Sequence, residues 1–122
     1  MKKIIIATLL ATVATASFAT KTNTVLAAGV TTVATGSCLG AGGTSMLSAA
    51  VKINLSTSNI GNVSCDDATA SLGVGVGNTA GKGHVYSASS AGGSIVDTAT
   101  TNGAAPTATN VLNAADTSSA SS

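Results

Sequence analysis

Four sets of residues in this 122-residue chain have types and spacings that could do chemistry: a glycine run, a lone histidine, an aspartate pair and two cysteines. The run is Gly75-Val76-Gly77-Asn78-Thr79-Ala80, which fits the spacing of a dinucleotide-binding loop, with Asp97 twenty residues past Gly77, near where a ribose acid would sit. Such a loop needs a helix directly after it, with free N–H groups aimed at the pyrophosphate. The next residues are instead Gly81-Lys82-Gly83-His84-Val85-Tyr86, two more glycines and then β-formers, over which no amphipathic helix can be drawn. Gly73, Gly75 and Gly77 also fall at every second position, the period of one face of a strand. The stretch therefore reads as a strand with a bare face, and no cofactor is expected.

His84 is the sole histidine. A Ser-His-Asp set could be assembled on paper from the many serines and Asp66, Asp67 or Asp97, but no Gly-x-Ser-x-Gly elbow fixes one. The residue reads as a hairpin-edge histidine. Asp66-Asp67 could meet calcium with the help of backbone carbonyls, yet the full calcium-loop spacing is missing and the pair reads as solvated loop. No catalytic or metal-binding residue is assigned, and the chain is not expected to be an enzyme. Asn54-Leu55-Ser56 and Asn62-Val63-Ser64 are formal glycosylation sequons.

Cys38 and Cys65 are the only cysteines. Structural zinc wants four ligands, and two Cys with one His fall short. The leader decides the compartment. Lys2 and Lys3 precede an apolar run, Ile4 to Val13, and small residues come after it at signal-peptidase spacing, ending at Ala16 or Ala19. Residues 1–19 thus read as a bacterial-style secretory signal peptide with a helical core, too short in its apolar run to anchor the chain in a bilayer. In an oxidising compartment, periplasmic or extracellular, the two cysteines make one disulfide. Closing a loop of about 28 residues restricts the unfolded chain by about 3.5 kcal/mol.

Composition excludes other roles. The chain has no Arg, Glu, Gln or Trp, and beyond residue 19 three lysines stand against four aspartates, a net charge of −1. With no cluster of basic residues to neutralise phosphates, nucleic acid is not a partner. A chain so rich in Thr, Val, Ser and Gly, and so poor in long helix-formers, points to short strands rather than a bundle.

Alternation of residue types places the elements that would position these residues. Residues 20–37 are a Thr-rich segment, in which Leu26, Ala28 and Val30 share a face. Val51-Lys52-Ile53-Asn54-Leu55-Ser56 alternates apolar and polar, as a half-buried antiparallel strand does. A turn is expected over residues 58–62, and a second strand from Ala68 to Gly77, with Ala70, Leu72, Val74 and Val76 on one face and the glycines on the other. Val85 to Ala88 would return, and Ser94 to Thr98 would close the set. Residues 99–122 carry only Val111 and Leu112 as sizeable apolar side chains and read as a flexible tail. The expectation is an all-β domain over residues 38–98, a small antiparallel sheet or sandwich closed by the Cys38–Cys65 disulfide.

Glycine inside a strand often marks close approach of another backbone. Gly73, Gly75 and Gly77 are therefore a candidate interaction face for a second sheet or chain. The functional expectation is an exported structural or interaction protein, self-associating or bound to a cell-surface partner. Residues 20–37 would be able to complete a neighbour's sheet by strand addition. The alternative is a monomeric secreted binding module, with its ligand in loops 38–48 or 66–83.

Overall fold

The computed structural model describes residues 21–120. The expected signal peptide, residues 1–19, lies outside the described residues. Within them seven strands form: β1 (Lys21–Leu26), β2 (Gly29–Val33), β3 (Val51–Leu55), β4 (Asn59–Asp66), β5 (Ser71–Asn78), β6 (His84–Ser89) and β7 (Val96–Ala99). An α-helix, α1 (Ala108–Ala120), ends the described chain. The larger sheet has the order β1-β4-β5-β6-β7, and β2 pairs with β3 in a separate two-stranded sheet. These pairings are all antiparallel. The fold is thus mostly β with two sheets and one C-terminal helix.

The alternating stretches form strands, but residues 68–70, expected within the second of them, lie in the preceding turn, Ala70 with a left-handed φ of 51°. Val51–Leu55 is β3, and Ser71–Asn78 carries its glycines on one side and Leu72, Val74 and Val76 on the other. The expected turn at 58–62 is shorter than its composition implies. Ser58 alone takes a left-handed φ of 66°, and Asn59 already begins β4, whose register runs unbroken against β5 from Asn59↔Asn78 to Asp66↔Ser71.

The apolar core lies on one face of the large sheet. Leu26, Val63 and Cys65 point from β1 and β4 toward Val33 of the small sheet and Cys38 of the loop that follows β2. Leu72 and Val74 of β5, and Ile53 and Leu55 of β3, pack around this cluster, with Met46 and Leu47 from the intervening loop. The Cys38–Cys65 disulfide forms, with Cα atoms 5.3 Å apart, and clamps the loop after β2 to β4. Residues 20–37 do not stand free for a neighbour. Their described part supplies β1 and β2, and Leu26 and Val33 from it are buried in this chain's own core.

Of the tail expected over residues 99–122, the described part, 99–120, departs furthest from expectation. A short 3-10 turn covers Thr101–Gly103, and Ala108–Ala120 is helical rather than a flexible tail. Thr107 caps the helix. Its Oγ1 accepts from the Asn110 N–H at 3.4 Å, while Asn110 Oδ1 accepts from the Thr107 N–H at 2.9 Å. This is a capping box with Asn in the place usually held by Glu or Gln. Among the described residues no helix is long and apolar enough to cross a membrane.

Candidate functional site

The face of β5 stripped to hydrogen is covered, and this chain covers it. Because cross-strand partners share a face, Gly73, Gly75 and Gly77 lie level with Ser64, Asn62 and Ile60 of β4 and with Ser89, Ser87 and Val85 of β6. Helix α1 packs across β4, β5 and β6 on that side. A Cβ at Gly73 would overlap the Ala115 carbonyl oxygen, and one at Gly75 would overlap that of Val111. A Cβ at Gly77 would stand 2.6 Å from the Pro106 ring. The glycines therefore admit a backbone at close range, as their spacing implies, but in the described chain that backbone is the C-terminal helix and not a second sheet or a partner. The helix turns small residues inward: Val111, Ala115, Ser118 and Ser119 are buried.

Hydroxyls hold this contact together. Ser64 Oγ donates to Asp116 Oδ1 at 2.6 Å, and Ser119 Oγ lies 3.3 Å from Ser64 Oγ. Ser71 Oγ and Thr69 Oγ1 both donate to the Ser119 carbonyl. Lys21 Nζ donates to the Asp116 carbonyl at 2.6 Å and lies 3.7 Å from Asp66 Oδ2. A cation at the last turn of a helix also complements its dipole. One buried atom in the layer, Asn62 Oδ1, has no partner among the described residues. Its residue is 4% exposed, which places that formal glycosylation sequon out of reach.

Beside the helix, the same face of the sheet stays open over β6 and β7. The helix packs mainly on β4 and β5, and a groove of about 580 Å³ runs between its flank and the outer strands. Val85 and Ser87 of β6 and Val96 and Thr98 of β7 form its floor, Asn110, Asn113 and Ala114 its helical wall, and Gly92 to Ser94 one end. Among the described residues no charged and no aromatic side chain lines it. This groove lies away from loops 38–48 and 66–83, where sequence alone looks for a ligand. It was not visible in the sequence because its wall is the helix read as a tail.

Strand β7 borders the groove and forms an edge of the large sheet. All of its residues are exposed. Ile95, at 72%, and Val96, at 53%, are among the most exposed large apolar side chains.

The remaining candidates are dispersed. His84 Nδ1 lies 2.8 Å from Asp97 Oδ1 across β6 and β7, and its ring stacks on Tyr86 at 6.4 Å between centroids. No serine hydroxyl is bonded to this ring among the described residues. Asp66 Oδ1 accepts from the Ala68 and Thr69 N–H groups at 2.9 and 3.4 Å, so this carboxylate stabilises the turn after β4. No group of three or more His, Cys, Asp or Glu converges among the described residues. Gly75 and Gly77 sit inside β5, and the element after them is the strand β6, not the helix a pyrophosphate loop requires.

Comparison with known proteins finds no matching family model, no matching curated protein and no matching solved structure.

Proposed function

We propose that this chain is an exported β-domain with a structural or interaction role, and that copies of it associate through the free edge of β7. The observation that carries the reading is the state of that edge. A bare edge strand is a template for pairing, and proteins that stay monomeric guard it with short length, Lys or other charges, Pro, a bulge or a covering loop; β7 is short, at four residues. Strand β7 has neither Lys nor Pro, is exposed throughout, and comes directly after the exposed Ile95. Its one charge, Asp97, is engaged with His84.

Topology favours one mode of joining. Five strands that are antiparallel at every step leave β1 and β7 running in the same direction. Joining β7 of one copy to β1 of the next in a head-to-tail row would make a parallel ladder. Joining β7 to β7 about a two-fold axis makes an antiparallel one, which is the slightly more stable pairing and the commoner symmetry. The signal-like leader and the disulfide support an oxidising compartment outside the cytoplasm.

The test is light scattering after size exclusion on the oxidised mature chain. The expected result is a dimer that becomes a monomer in the Ile95→Lys/Val96→Lys variant, with the β content of the chain unchanged because both side chains are exposed within one copy. A wild-type chain that stays monomeric at the highest attainable concentration overturns the proposal. The groove beside α1 favours a second reading, a monomeric secreted binding module, and that outcome would promote it.

A further inference from the structure

We propose that the groove between α1 and the β6–β7 half of the sheet binds a neutral, hydroxyl-rich ligand, a short oligosaccharide. The first observation is a hydroxyl on the groove floor that bonds no other residue among those described. Ser87 is 7% exposed, lies on the groove floor, and its hydroxyl makes no hydrogen bond among the described residues. That hydroxyl opens to the groove, where a ligand oxygen can take the place of water.

The second observation is what surrounds Ser87. The side chains of Thr98 on the floor, Ser94 at the end and Asn113 on the helical wall also have no protein partner among the described residues. Asn110 has its carbonyl oxygen committed to the helix cap, which leaves its NH₂ group for the groove. These groups donate and accept in both directions, as a hydroxyl-bearing ligand does. Between them lie the apolar surfaces of Val85, Val96 and Ala114. Alternating hydroxyl and methyl surface matches a sugar ring, which presents hydroxyls at its rim and C–H groups on its faces.

The third observation is what the groove lacks. With no charged lining residue among those described, nothing compensates the desolvation of a phosphate, carboxylate or ammonium. An extended peptide would read main-chain donors and acceptors, but the floor of the groove is a sheet face. The backbone of residues 85–87 is paired with β5 on one side and β7 on the other, so the floor presents side chains. At about 580 Å³ the space lies within the usual range of small-molecule sites, roughly 300–1,000 Å³.

The experiment is a titration of the oxidised, isotope-labelled chain monitored by amide chemical shifts. The probes are cellotriose, maltotriose and chitotriose, with trigalacturonate as the anionic control and a neutral Ala-Ser tetrapeptide as the peptide control. The expected result is saturable shifts at Ser87, Thr98 and Asn113 with at least one neutral trisaccharide, and none with either control. Ser87→Ala and Asn113→Ala should each weaken that binding roughly fivefold, the worth of one neutral hydrogen bond, without moving the melting temperature. Silence at these amides with all three sugars at tens of millimolar overturns the proposal. So does a response to the peptide in their place, or binding that both variants leave untouched.

Discussion

On one face of the β1-β4-β5-β6-β7 sheet, Leu26, Val63 and Cys65 lie under a second sheet; on the other, Ser64, Ser71 and three glycines lie under a helix. The first face is filled by branched and sulfur-bearing side chains and a disulfide. The second is filled by main chain, with carbonyls of Val111 and Ala115 set against glycine and hydroxyls bridging the gap. The difference shows two ways to cover a sheet. Large side chains bury apolar area at a distance of one layer. Small ones bury less but let two backbones meet, and polar groups then carry the specificity. A chain with few large apolar residues uses the first where it can and the second elsewhere.

Breaking each face should have its own signature, and the covalent clamp on the apolar face should show the largest effect. Cys38→Ser/Cys65→Ser is expected to cost about 3.5 kcal/mol in urea unfolding, from the loop it releases. Hydrogen exchange should rise first across β2, β3 and the loop between them, whose anchor is lost. Equal exchange in β2 and α1 would mean that the two faces are not independently held.

The glycine face comes next. Gly73→Ala puts a methyl into the Ala115 carbonyl, and neither backbone is a flexible side chain that can swing aside. Overpacking of this kind costs about 1–3 kcal/mol. The expected outcome is loss of protection over Ala108–Ala120 with β2 and β3 unchanged. An alanine at 73 that leaves α1 protected would remove the backbone contact as the reason for the glycine.

Smaller effects sharpen the polar half of the comparison. Ser64 is fully buried and donates to the carboxylate of Asp116, so Ser64→Ala should lower stability by about 1.5 kcal/mol, as for a hydrogen bond to a charged acceptor. Ser87 is nearly as buried on the same side but has no protein partner among the described residues, so Ser87→Ala should stay within about 0.5 kcal/mol of wild type. Thermal denaturation of the two single variants side by side measures the contrast. An equal loss at both positions would show that burial, not bonding, decides their worth.

Legibility in the sequence divides along the same line. The strands β3 and β5 stand out because apolar residues alternate with polar residues or glycines at the strand period, and two cysteines behind a signal-like leader imply the disulfide. The bare face of β5 was legible as a surface for close backbone approach. Its occupant was not, because α1 buries Val111 as its one large side chain, along with Ala115, Ser118 and Ser119. A helix recognised by its apolar stripe needs a partner that rewards bulk, and a glycine face rewards the lack of it. The missed signals were local. Pro106 and Thr107 precede a helix start, Asn110 completes the capping box, and positions 111, 115, 118 and 119 repeat at helical spacing. The groove was hidden for the same reason, since it exists only once the helix has docked.

The central claim is that the C-terminal helix occupies the glycine face of its own chain. Nuclear Overhauser contacts between the Hα atoms of Gly73 and Gly75 and the protons of Val111 and Ala115, measured on the oxidised protein, test it most directly. Those contacts are expected together with helical carbon shifts from Ala108 to Ala120. Random-coil shifts over those residues, with Gly73 and Gly75 free of intramolecular contact, would contradict it.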